Sequence, residues 1–263
     1  MNILFLGDVV GKPGRRAIRT LLPSLIHREH LAFVIANCEN VAGGAGVDPE
    51  SCQELLAAGV DVLTSGNHIW RKKEIVDFIG REGRLLRPAN FPPGTPGNGW
   101  GRFATAGGVE VVVVNLIGRV FMEALDCPFQ VVEAILARLA GGTAIIVVDM
   151  HGEATSEKGA MGWFLAGKVS AVVGSHTHVQ TADERVLPPG TAFITDAGMC
   201  GPIDSVIGVK HQLAIRRFRT HMPTKFEPAT GRTLVQGAIV TLDPATGRAT
   251  AIRRLQEEAE GSQ

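Results

Sequence analysis

The stretch Asn2-Ile3-Leu4-Phe5-Leu6-Gly7-Asp8 is an apolar run of strand length that stops on a carboxylate. The same form recurs along the chain. Phe33-Val34-Ile35-Ala36 runs into Asn37-Cys38-Glu39-Asn40, and Val62-Leu63-Thr64 into Ser65-Gly66-Asn67-His68. Ile145-Ile146-Val147-Val148 meets Asp149-Met150-His151-Gly152-Glu153, and Val172-Val173 meets Gly174-Ser175-His176-Thr177-His178. Short apolar runs of this kind suit buried strands. The amphipathic stretches 13–30, 49–58, 72–80, 129–140 and 158–166 read as helices, the first beginning where Pro13 suits an opening turn. Strand and helix in alternation imply parallel strands with helices on the sheet faces.

Residues 88–101, rich in Gly and Pro, read as a long surface loop, and Gly107-Gly108 as a hairpin turn between strands at 101–106 and 109–116. Further strands are expected at 144–149 and 169–174. The region 191–254 is expected to be mostly β, with turns at Pro189-Gly190 and 243–247, and the acidic residues after Gln256 to fray. Without a repeat or a linker, 1–263 is read as one domain, two βα-rich halves packed as a sandwich around one core.

Composition narrows the function classes. Lys+Arg and Asp+Glu number 26 each, so no bulk charge draws the chain to nucleic acid or an anionic membrane. Cys38, Cys52, Cys127 and Cys200 are scattered without CxxC spacing, which argues against a zinc knuckle or thioredoxin-like site and for a reduced compartment. The apolar run before Asp8 is too short for a signal-peptide core, and none approaches the roughly 18 residues of a membrane span. The expectation is a cytoplasmic protein.

The polar clusters carry the chemistry. Ends of parallel strands are where open α/β folds bind ligands, so Asp8, Glu39, Asn40, Asn67, His151, His176 and His178 are expected to converge. Each has a plainer reading alone: Asp8 as a helix cap, residues 37–40 as a turn, Asn67-His68 as a loop, His151 as a structural histidine. His176-x-His178 is the stronger single signal, because alternate residues of an extended segment can face one site. Together they offer oxygen and nitrogen ligands without thiolate, which suits iron, manganese, zinc or magnesium. The set exceeds one tetrahedral ion and fits two ions about 3.5–4 Å apart sharing a carboxylate, a device for phosphoryl chemistry. Two rival motifs fail. Gly7–Lys12 is one residue short of a P-loop, with Pro13 where a Mg²⁺-binding hydroxyl should stand. Gly43-Gly44-Ala45-Gly46 is not a GxGxxG turn and is read as a flexible lip beside the site. No GxSxG elbow is present.

The succession GD (7–8), NxEN (37–40), GNH (66–68), DMHGE (149–153) and GSHTH (174–178) resembles the calcineurin-like metallophosphoesterases, and within them the bacterial 2′,3′-cyclic-nucleotide 2′-phosphodiesterase branch. Residues 115–122 and 196–202 resemble that branch too, and the likeness runs from 2 to about 208. It implies an α/β fold: a four-layer α/β/β/α sandwich of central β-sheets flanked by helices. The chain departs from the wider superfamily where Asp8-Val9-Val10 replaces DxH, where Glu39 stands for a bridging Asp, and where Ile69 rather than an acid follows His68. The first two departures are the branch's own pattern, with Asn40 in place of the lost histidine. The third removes a carboxylate that would orient His68.

Carried over, the resemblance assigns one ion to Asp8, Glu39, Asn40 and His178, and a second to Glu39 (bridging), Asn67, His151 and His176. The ions are divalent or trivalent, iron or manganese. His68 would be the general acid. Water activated between the ions would attack a cyclic nucleotide's phosphorus while His68 protonates the leaving 2′-oxygen, giving a nucleoside 3′-phosphate. Arg119 and Lys12 are candidates for phosphate contact. A homo-oligomer is a family-level expectation. No stable nucleic-acid complex or membrane contact is implied. The alternatives are a nucleotidase or phosphomonoesterase on the same site, or a nucleotide-responsive regulatory protein of weak activity.

Overall fold

Alternation within one strand shows how many layers the protein needs. In β1 (Asn2–Leu6), Ile3 and Phe5 enter one core and Leu4 and Leu6 another, and all four are buried. A strand buried on both faces requires a covering layer on each side. The computed structural model, which describes residues 1–139 and 145–259, supplies both.

From β1 the chain continues through β2 (Asp8–Val9), α1 (Gly11–Arg28), β3 (Leu31–Asn37), α2 (Pro49–Ala57), β4 (Val62–Thr64) and α3 (Ile75–Ile79). It then forms β5 (Trp100–Ala104), β6 (Glu110–Ile117), α4 (Pro128–Leu139), β7 (Ile145–His151), α5 (Thr155–Leu165) and β8 (Ala171–Ser175). The remaining elements are β9 (Arg185–Leu187), β10 (Thr191–Ile194), β11 (Met199–Pro202), α6 (His211–Thr220), β12 (Thr233–Leu242) and β13 (Ala249–Ala259). One sheet is ordered β2-β11-β12-β1-β3-β4, with β13 also paired to β12; the other is β5-β6-β7-β8-β10-β9. β1, β3 and β4 are mutually parallel, as are β6, β7, β8 and β10.

The sheets face each other. Ile3, Phe5 and Ile35 of the first meet Val113, Val147 and Val173 of the second in one core. Ile18, Leu22 and Leu25 of α1 and Leu55 of α2 cover the first sheet's outer face. Val132 and Ile135 of α4, with Met161 and Leu165 of α5, cover the second. At roughly 1.5–3 kcal/mol for each fully buried aliphatic side chain, these three cores dominate the fold's stability. The layers are α/β/β/α, as the resemblance implies.

Several expectations change. The polar strand ends do not share a single sheet edge: β1, β3 and β4 belong to the first sheet, β7 and β8 to the second, and their clusters meet across the sandwich. The region 191–254 contains helix α6, in which Ala214 is the one buried residue. Its Ile215 and Phe218 are exposed, so the helix does not dock on the core through an apolar stripe. Helix 72–80 is reduced to α3, preceded by a 3₁₀ turn at Ile69–Arg71. Glu257 and Glu258 are not frayed: they lie in β13 opposite Val235 and Leu234, ion-paired to Arg28 and Arg232. The expected helix end at 140, the expected strand start at 144 and residues 260–263 lie outside the described residues.

Candidate metal centre

All seven expected ligand residues and His68 gather where the ends of the two sheets meet. Glu39 and Asn40 follow β3, Asn67 and His68 follow β4, and Asp8 begins β2 after β1. His151 ends β7, while His176 and His178 follow β8. Glu39, 1% exposed, is the centre. Its Oε2 lies 3.0 Å from His151 Nε2 and accepts the His68 backbone N–H at 3.3 Å. Its Oε1 accepts from Asn40 Nδ2 at 3.0 Å and lies 3.3 Å from His68 Nδ1. Asn67 Oδ1 stands 3.2 Å and His176 Nδ1 3.0 Å from His151 Nε2. Asn40 Nδ2 lies 3.1 Å from His178 Nε2, while its Oδ1 meets His68 Nδ1 at 2.7 Å. Asn40 and Glu39 thus orient His68, the task left open by the missing acid after it. Gly66 is obligatory here, because a Cβ would stand 2.1 Å from His151 Nε2 and 2.4 Å from Glu39 Oε2.

Whether these residues fit metal is tested by two features. Ligand atoms of Glu39, His151 and His176 lie within 4.8 Å of one another, as do those of Asp8, Glu39 and His178; Glu39 belongs to both groups. Asp8 is fully buried, and its Oδ1 has no hydrogen-bond partner among the described residues, although His178 Nε2 is 3.7 Å away. An unpaired buried carboxylate oxygen costs free energy unless a cation satisfies it. The donor set, carboxylate, imidazole and amide oxygen without thiolate, fits such a cation.

The charges in the site are arranged around the same centre. Burial, opposed by His178 and His151, pushes the Asp8 carboxyl up to about 6. Burial would also raise Glu39, but the charge and hydrogen bond of His151, then of His68, hold it well below the usual carboxylate range. Burial lowers His151, yet Glu39 and then Asp8 and Asp149 outweigh it and bring it to about 9. Burial and the adjacent His151 charge push His176 down to about 3. The charging proton is therefore favoured on His151 over His176, and an ion bound at His151 Nε2 would displace it.

Behind the candidate ligands stand motif residues to which the sequence assigns no role. In β7 and β8, His151 is directly opposite Ser175. His151 Nδ1 lies 2.9 Å from Ser175 Oγ, which donates to Asp149 Oδ1 at 2.6 Å. Asp149 Oδ2 accepts from Thr64 Oγ1 at 2.5 Å and Asn37 Nδ2 at 3.0 Å. This relay places the His151 proton on Nδ1 and turns Nε2 toward Glu39, Asn67 and His176. A second buried unit fixes the next turn. Lys158 Nζ donates to Asp196 Oδ2 at 2.8 Å, and the same oxygen accepts from Thr177 N at 3.0 Å and Thr177 Oγ1 at 2.7 Å. Thr177 separates His176 (φ 102°) and His178 (φ 64°), both in the left-handed region, so the pair braces a strained turn. Asp149 could be suspected from its place two residues before His151, on the same strand face. Lys158 carried no local signal.

The remaining sequence candidates fall at the periphery. Lys12 is exposed in the first turn of α1. Arg119 is exposed, and its backbone N–H is taken by Glu157 at 3.0 Å. The Gly-rich lip is folded against the centre: Gly46 N–H donates to Glu39 O at 2.8 Å and Gly44 N–H to Asn40 O at 3.2 Å. Beside the ligands lies a cavity of about 310 Å³ lined by Asn67, Phe121, Met122, Glu123 and His176.

Comparison with known proteins gives a consistent picture. A family model described as YmdB-like protein matches residues 4–255. A 2′,3′-cyclic-nucleotide 2′-phosphodiesterase of Bacillus subtilis is 48% identical over 97% of this chain and 96% of its own length. Among solved structures, a hypothetical protein from Thermus thermophilus superposes with a TM-score of 0.92 at 40% identity, covering 98% of this chain and 99% of that one. A phosphatase from Mycoplasma pneumoniae superposes with a TM-score of 0.93 at 31% identity, covering 99% and 94%.

Proposed function

Because the chain belongs to the YmdB-like protein family, we propose that it is a metal-dependent phosphodiesterase that opens 2′,3′-cyclic nucleotides to nucleoside 3′-phosphates. The observation that carries this reading is Glu39, common to both ligand groups at the meeting of the sheets. Asp8, Glu39, Asn40 and His178 would hold one ion, and Glu39, Asn67, His151 and His176 the other. Two such ions, iron or manganese, supply Lewis-acid charge neutralisation and activation of water. The reading also takes the described residues as one catalytic domain working in the cytoplasm and able to self-associate; no helix among them is long and apolar enough to cross a membrane.

The chain's own contribution to proton transfer is His68. With Nδ1 committed to Asn40 Oδ1 at 2.7 Å, Nε2 is the nitrogen left to gain and lose a proton. The side chain is 20% exposed, open to a substrate while anchored from behind. Protonated, it would deliver Nε2–H to the departing 2′-oxygen.

Metal analysis of anaerobically purified protein, followed by turnover of 2′,3′-cyclic, 3′,5′-cyclic and monoester nucleotides, tests the reading. Preference for a monoester would move the chain to a phosphatase, and tight binding without turnover to a regulatory protein. Replacing His68→Ala is expected to lower kcat about 10²–10⁴-fold, the usual worth of a general acid, with metal content near wild type. A metal-free His68→Ala protein would refute the division of roles.

A further inference from the structure

The segment joining β6 to α4 carries an aromatic ring that the fold leaves without a packing partner. Phe121 is 88% exposed and has a φ of 62°. A bulky residue in the left-handed region is strained, and an exposed ring recovers none of that strain by burial. The surrounding segment is nonetheless firmly anchored. The buried Asn90 side chain closes its two ends: Oδ1 accepts from Ile117 N at 2.9 Å, and Nδ2 donates to Ile117 O at 2.9 Å and Asp126 O at 3.0 Å. Glu157 braces the middle, its carboxylate accepting the N–H of Arg119 at 3.0 Å and of Val120 at 3.1 Å. Gly118 N–H donates to His151 O at 2.8 Å, which ties the segment to the strand of a candidate ligand. Phe121 is therefore held out from a fixed base, and it lines the cavity that Asn67 and His176 also line.

We propose that Phe121 is the stacking platform for the nucleobase of the substrate, which binds with its phosphate at the ligand cluster. The inference rests on the nucleotide reading above and adds to it the element that recognises the base. A volume of about 310 Å³ is at the small end of small-molecule sites. Bases stack on an aromatic side chain through their π-faces whatever their edge pattern, so the platform confers affinity for nucleotides with little choice among the four bases. A rigid presentation also means that little conformational freedom is lost on binding.

The test compares Phe121→Ala and Phe121→Trp with wild type on two five-membered cyclic diesters, adenosine 2′,3′-cyclic phosphate and the base-free glycerol 1,2-cyclic phosphate. Phe121→Ala is expected to lower kcat/KM about tenfold for the nucleotide, through KM, and less than twofold for the glycerol diester. Phe121→Trp is expected to restore or exceed the wild-type nucleotide value. Equal losses on both substrates, or no loss on either, would overturn the proposal. Calorimetric titration with adenosine 3′-phosphate separates it from the phosphodiesterase reading. If wild type hydrolyses neither diester, that reading fails, and an unchanged Kd in Phe121→Ala removes the platform as well. A Kd weakened about tenfold in Phe121→Ala retains it.

Discussion

The two halves of the ligand cluster are held in different ways. On one side, His151 is fully buried and its ring is fixed by Ser175 and Asp149 inside the second sheet. On the other, His178 Nδ1 rests 2.9 Å from the backbone carbonyl of Ile207, a half-exposed residue with φ 48° between β11 and α6. Asp8, beside His178, keeps the oxygen without a partner. One half is a preformed seat; the other would be completed by a bound cation. The difference predicts unequal affinities, with the His151 half filling first.

The broadest break comes from the residue common to both halves. Glu39→Gln should empty both and cut turnover about a thousandfold or more, since several kcal/mol of transition-state charge stabilisation leaves with the ions. Retention of one ion per chain, measured by mass spectrometry of metals, would show that the halves are independent. The next largest effect belongs to the unfinished half and appears without metal. Asp8 in the folded chain titrates at about 6, above its ordinary 3.8, so its contribution to stability is present below about pH 4 and lost as pH rises through about 6. Asp8→Asn should therefore stabilise the chelated protein above pH 6 by on the order of 2–3 kcal/mol and make little difference near pH 4, as read by urea unfolding. The smallest expected effect sharpens the contrast: Asp149→Asn should weaken the tighter-bound ion about 10–100-fold and scarcely change the weaker one. Equal weakening of both in a two-site titration would abolish the distinction.

Much of this was legible in the sequence, and for a physical reason. Apolar runs such as 145–148 have no use outside a core, and polar residues at their ends are left at strand ends by geometry alone, so the buried strands and the candidate ligands can be read locally, whereas the four-layer order rested on the resemblance. What escaped depends on pairing between distant strands. Ser175 becomes the partner of His151 only through the β7–β8 register, and Lys158 meets Asp196 only because α5 packs over β8 and β10. The assignment of the strand ends to two sheets was hidden for the same reason: alternation specifies that a strand has two covered faces, not which strands share its sheet. Helix α6 and the charged end of β13 failed differently. Helix α6 leaves Ile215 and Phe218 exposed, so its apolar residues do not mark a core-facing element, and Arg232 can stabilise Glu258 only after the fold has brought them together.

Glu39 comes from the first sheet and His151 from the second, and they stand 3.0 Å apart. The centre is thus a caliper laid across the sandwich. Two packed sheets can slide by a fraction of an ångström while every strand keeps its own hydrogen bonds, and no measure of secondary structure would register it. The jaws would register it at once, because ligand spacing tolerates only about 0.2 Å. Heat, pressure or a distant core substitution should therefore release metal well before the protein melts, and metal occupancy becomes a reading of how the two layers are seated.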